Sequence, residues 1–173
     1  LGVLRSIPLD VSTLPGGTDA PSLDPTYLET VRAFYGGLAA LEVGLLEDAQ
    51  RRFERAVELA PEEPAMRANL ALVHIGFGND EAATGELTAA RDLAPSSSAV
   101  VFLQGQIAAF RARSDEAKAF FRETLALDPE HVRARFALAQ ELERDGGEAL
   151  LEAQRELDSI IDLRPENLGV LVL

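Results

Sequence analysis

Cysteine is absent from this chain of 173 residues. That excludes disulfides, thiolate zinc sites and thiol nucleophiles together. Lysine is almost absent too: Lys118 is the only one among 16 basic residues, an arginine bias that points to a GC-rich bacterial source. Acidic residues number 29 and the formal net charge is −13, so the chain lacks the clustered positive surface that nucleic acid requires. No apolar run approaches the roughly 18 residues needed to span a bilayer, so direct membrane insertion is not expected. The two histidines, His74 and His131, have no second histidine at metal-ligand spacing. Gly16-Gly17 and Gly146-Gly147 lack the lysine and following Ser/Thr of a phosphate-cradling loop. The acidic pairs Glu62-Glu63 and Asp115-Glu116 fall where helices are expected to start, and there they complement the helix dipole. The expectation is a chain that is not an enzyme, with no catalytic residues, no cofactor and no metal. The sequence starts at Leu1 without a basic-then-apolar leader, which suggests a mature product or a piece of a longer protein.

What is present is a frame. Ala49, Phe53, Ala56 and Pro61 return as Ala83, Leu87, Ala90 and Pro95, then as Ala117, Phe121, Thr124 and Pro129, and finally as Ala153, Leu157, Ile160 and Pro165. A period near 34 residues, filled by two short amphipathic helices, describes a helix–turn–helix repeat. The expected helices run near 25–43 and 46–59, 62–77 and 80–93, 97–111 and 114–127, and 130–144 and 149–163. A ninth is expected from about 166. Asp24-Pro25 supplies a cap and a preset first turn, and Ser96-Ser97-Ser98 supplies further cap candidates. Residues 1–24 differ. Pro8, Pro15, Pro21, Gly16 and Gly17 prevent a long helix, yet Leu1, Val3, Leu4, Ile7, Leu9, Val11 and Leu14 are apolar. The reading is an extended arm, 1–24, lying on a surface of the domain formed by 25–173, either in its groove or over its first helix pair.

Counted from Thr30, Pro64, Ser98 and Val132, the chain places Gly37, Ala71, Gly105 and Ala139 at the eighth position, and Gly44, Gly78, Ala112 and Gly146 at the turn. This frame over 30–167 resembles the tetratricopeptide repeat (TPR) family. The resemblance implies an all-α fold: an α-solenoid of about four repeats (30–63, 64–97, 98–131, 132–167) and the start of a fifth at 168–173, wound as a right-handed superhelix. The family's tryptophan at position four is replaced by Ala33, Arg67, Val101 and Arg135, and its tyrosine at position eleven is also missing. The phrases Phe34–Leu41, Glu63–Leu70 and Phe136–Arg144 further resemble the N-terminal repeats of exported bacterial proteins that continue into FG-GAP and ASPIC/UnbV modules. That would make this chain the repeat portion of an exported or periplasmic protein.

The family resemblance also implies where a partner would sit. The first helix of each repeat lines a concave groove, here with Phe34, Tyr35, Leu38 and Leu41, then Asn69, Leu72 and Ile75, then Phe102, Leu103, Gln106 and Phe110, then Arg133, Phe136 and Gln140. The lining is apolar and partly aromatic, as expected of a binding surface. Positions that in some members clamp a peptide carboxylate carry Phe34, Leu38, Asn69, Ala99 and Leu103, so only the asparagine survives. The function expected is a protein–protein interaction scaffold that receives a peptide or partner subunit. The alternative is an accessory subunit that docks through its ends and arm on a larger assembly, with membrane or redox complexes as candidates.

Overall fold

Several helices begin where the sequence offers a side-chain cap. In the computed structural model, which describes residues 6–10, 14 and 24–163, Asp24 accepts hydrogen bonds from the amides of Thr26 (2.8 Å) and Tyr27 (3.4 Å) and so starts α1, Pro25–Glu42. The remaining helices are α2 (Leu46–Leu59), α3 (Pro64–Gly76), α4 (Asp80–Leu93), α5 (Ser98–Phe110), α6 (Ser114–Leu127), α7 (Val132–Asp145) and α8 (Ala149–Leu163). Glu63, Asn79 and Ser97 cap α3, α4 and α5. Among the described residues the fold is all-α. Expected and observed limits agree closely, except that α3, α5 and α7 begin one or two residues later. Their first turns are held by the caps Glu63, Ser97 and His131 rather than by residues before them. The start of a ninth helix lies outside the described residues.

The first three hairpins close through one recurrent turn. After α1, the amide of Leu45 reaches back to the Ala40 carbonyl (2.8 Å) while that of Gly44 bonds Leu41 (3.1 Å). The same pair of bonds recurs as Asn79 to His74 and Gly78 to Ile75, and as Arg113 to Ala108 and Ala112 to Ala109. This pair of hydrogen bonds requires a left-handed residue after the helix. Gly44 and Gly78 supply it at φ 79° and 72°, whereas Ala112 adopts φ 57° with a side chain present.

Two compact units result, Leu1–Pro95 and Ser96–Leu173. In the first, α1 packs on α2 and α3 on α4, and α2 also packs on α3. Phe34 and Phe53 are fully buried and meet edge to face, with ring centroids 5.8 Å apart. Gly37 permits this, because a Cβ there would stand 2.9 Å from the Phe53 ring. In the second unit, Phe102, Phe121, Leu138, Ala139 and Leu142 form the core, and Gly105 plays the same part beneath Phe121.

The replaced tryptophan has a physical substitute. In the second and fourth repeats, position four carries an arginine that reaches a glutamate on the second helix of its own hairpin. Arg67 meets Glu86 at 3.1 Å and Arg135 meets Glu156 at 2.7 Å, all four largely covered. In the first and third repeats the position is simply apolar and buried, as Ala33 and Val101. Lys118, itself buried, ties α6 to α7 through an ion pair with Asp145 and also pairs with Asp115 on its own helix.

Candidate peptide-binding site

Asn69 lies on the inward row of α3 with Ala65, Ala68 and Leu72, and all four are buried. A buried amide must find partners for two N–H donors and a carbonyl. The Asn69 Nδ2 group donates to the Ala65 carbonyl, one turn earlier, at 2.7 Å. Its other partners come from the N-terminal arm. Nδ2 donates to the Ile7 carbonyl at 2.9 Å, and the Ile7 amide donates to Oδ1 at 3.1 Å. Two acceptors on the Nδ2 side and one donor on the Oδ1 side fix the orientation of the amide. One side chain thereby pairs with both backbone groups of a single arm residue, as a neighbouring β-strand would.

The arm alternates accordingly. Ile7 and Leu9 are buried, while Ser6, Pro8 and Asp10 face outward. Period-two burial is the pattern of an extended segment lying with one side down. Leu14 is buried as well. Leu1, Val3, Leu4 and Val11 lie outside the described residues. Among the described residues, then, the seat on α3 at Asn69 is met by the chain's own Ile7.

The expected groove residues divide into three groups. Phe34, Leu72, Ile75, Phe102 and Leu103 are buried alongside Asn69. Leu38, Leu41 and Gln106 are half-buried. Tyr35, Phe110, Arg133, Phe136 and Gln140 are exposed. Phe34 faces α2 in the hairpin core. Phe102 is covered by its neighbours: the His131 ring lies 4.7 Å away, the Phe121 ring 5.8 Å away, and the Arg133 guanidinium 5.5 Å from its centroid. It therefore offers little free face. Position in the repeat finds the inward row but does not tell core from lining, because that depends on what covers each hairpin.

His131 is the residue before α7. Its Nδ1 accepts from the Ala134 amide at 3.1 Å and so caps α7, which requires the neutral ring. Burial holds its pKa below the ordinary value; Arg133 pushes the same way and Asp128 opposes. Among the described residues, no cluster of three or more His, Asp or Glu side chains could hold a metal, and no helix is long and apolar enough to cross a membrane.

Paired helices, small residues at the crossings and left-handed turns define a class of helix-hairpin repeat proteins. The profile for the tetratricopeptide repeat matches residues 36–98, and the described hairpins have the fold of tetratricopeptide repeats. Tetratricopeptide repeat protein 7B of Homo sapiens is 32% identical over 149 residues, which make up 83% of this chain and 17% of that relative. TTC0263, a TPR protein of Thermus thermophilus, superposes with a TM-score of 0.72 at 21% identity, over 83% of this chain and 78% of its own. The first TPR domain of Spaghetti (RPAP3), solved with the HSP90 peptide SRMEEVD, gives a TM-score of 0.58 at 17% identity, over 68% of this chain and 93% of its own. At these identities the solved structures speak to the fold. Tetratricopeptide repeats generally mediate protein–protein interactions.

Proposed function

We propose that this chain is a protein-interaction scaffold whose first unit receives an extended peptide segment along α3, with Asn69 reading the segment's backbone. The observation that carries this reading is the pair of hydrogen bonds between the buried Asn69 side chain and both backbone groups of Ile7. A buried amide left without those partners loses roughly 1–3 kcal/mol, so the seat favours a chain segment over an empty row. The solved relative bound to SRMEEVD shows that the fold can hold a short peptide. An acidic peptide of that kind does not suit this chain. Phe34, Leu38, Ala99 and Leu103 stand where a carboxylate clamp needs cations, and the net charge is −13. An uncharged, apolar segment suits it better.

The test is peptide selection on the chain carrying Ile7→Asp and Leu9→Asp, which frees the seat of its own arm. Enriched segments should alternate apolar and outward-facing residues and lose binding when Asn69→Ala is added. Enrichment indifferent to Asn69→Ala in a folded chain would overturn the reading. A second reading, docking through the end of the second unit, is favoured by exposed Leu150 and Leu151 on α8, 49% and 66% accessible. Leu150→Glu with Leu151→Glu should then release a partner that Asn69→Ala leaves bound.

A further inference from the structure

We infer that residues 6–10 are a built-in competitor for the Asn69 seat, and that the partner they hold off carries the same chemistry: an extended segment in which an apolar residue, a proline and a second apolar residue follow one another. The inference rests on the proposed role of the seat and adds what selects the ligand and what gates it.

The selection follows from which backbone groups are read. Asn69 uses the N–H and C=O of Ile7. The next residue, Pro8, has no N–H and is exposed, so a proline there leaves no donor unsatisfied. Proline also bars its predecessor from the helical region and holds it extended. Ile7 is therefore close to its docked conformation before it docks, which lowers the ordering cost of binding. Ile7 and Leu9 then fall on the buried side together, two residues apart. A segment lacking the proline would keep both anchors but lose the preset backbone. One with a charged residue in place of Ile7 would bury that charge beside a neutral amide.

The gating follows from attachment. The arm is joined to α1 through residues 11–23, so its docking is intramolecular. Short tethers give effective concentrations on the order of millimolar. The described arm is held by the buried side chains of Ile7, Leu9 and Leu14, by the hydrogen bonds to the Ile7 backbone and by an interaction of Asp10, with no helix or strand among these residues. Such a contact is displaceable. A ligand meets an open seat only in the fraction of molecules whose arm is undocked, and its apparent Kd rises by the inverse of that fraction. An arm docked about nine-tenths of the time weakens a competing segment by about tenfold.

The experiment titrates the capped pentapeptide Ser-Ile-Pro-Leu-Asp into the isotopically labelled chain and follows the Asn69 side-chain amide by NMR. The intact chain is compared with the chain carrying Ile7→Asp and Leu9→Asp, each checked for helicity. The expected result is saturable binding to the released chain and at least about tenfold weaker apparent binding to the intact one. Replacing the peptide's proline by alanine should weaken binding several-fold, and replacing its isoleucine by aspartate should abolish it. The variant Pro8→Ala in the intact chain keeps both buried side chains and loosens the arm. It should bind the peptide with intermediate affinity, and it serves if the double variant does not fold. Equal affinity in intact, Pro8→Ala and released chains would overturn the gating while leaving the seat intact. Indifference to the peptide's proline would overturn the selection rule. No response at Asn69 in any folded chain would overturn the seat itself. A dimer of the intact chain in sedimentation velocity, lost in the released chain, would hand the arm to a second copy and overturn competition in cis.

Discussion

Replacing Gly105 by alanine sets two opposed effects against each other, and the structure says which wins. Alanine in a helix interior is favoured over glycine by about 1 kcal/mol. At Gly85 on α4 nothing stands within 4 Å of the added methyl, so Gly85→Ala should gain that amount in full. At Gly105 the new Cβ would lie 2.5 and 2.7 Å from two ring carbons of Phe121 and 3.2 Å from the Cβ of Phe120. Phe121 cannot swing aside easily, because it is 1% exposed and packs against Phe102. Overpacking of this kind costs about 1–3 kcal/mol. The net for Gly105→Ala is thus a loss between about 0 and 2 kcal/mol, and the two variants should differ by the whole packing penalty. Urea unfolding followed by far-UV circular dichroism measures each. Hydrogen exchange at α5 and α6 amides assigns the loss to the second unit, since two units need not unfold together. Adding Phe121→Leu should shrink the penalty specific to Gly105→Ala. If Gly105→Ala stabilised the chain as much as Gly85→Ala, the close crossing of α5 and α6 would be refuted.

Other expectations follow from the same geometry. Ala112→Gly should stabilise the second unit by up to about 1 kcal/mol in urea unfolding, because φ 57° suits glycine and not alanine. His131 is held neutral in the folded chain, so its contribution is present above the ordinary pKa of 6.5 and is lost as pH falls through the lowered folded value. Thermal melts from pH 7.5 to 5 should therefore drop more steeply for the native chain than for His131→Asn, which keeps a cap without titrating. A double-mutant cycle on Arg67 and Glu86 should give a coupling of about 0.2–1 kcal/mol, with Arg135 and Glu156, closer together and more covered, at or above the upper end.

The fold was legible because each of its determinants is local. Asp24-Pro25 announces a helix start, and Gly44 and Gly78 announce left-handed turns. Alanines and glycines recurring near 34 residues announce close crossings. The third turn kept its geometry without glycine because the bonds from Arg113 to Ala108 and from Ala112 to Ala109 hold it regardless of the side chain. What the frame could not foretell was how a hairpin survives without tryptophan at position four. Arg67 and Arg135 read as departures from the pattern until their partners are known. Those partners, Glu86 and Glu156, are far along the chain, on the next helix.

The site was less legible, and Asn69 shows why. Its place on the inward row follows from counting, but its role depends on a residue 62 positions earlier. Nothing in the periodicity of α3 encodes that distance. The arm carried its own local signal: apolar residues at 7 and 9 around a proline, too interrupted for helix and too apolar for a solvated tail. Neither signal alone names a site. Together they account for the contact between Asn69 and Ile7, because a buried amide needs backbone partners and an extended apolar segment needs a surface that satisfies its backbone. In the second unit the corresponding residues are covered or exposed in a different way. There Phe102 is covered by His131 and Arg133, and the amides of the row, Gln106 and Gln140, are half-buried and exposed rather than buried like Asn69. Apolar lining marks where a partner could rest. The paired donor and acceptor of Asn69 mark where the Ile7 backbone is held.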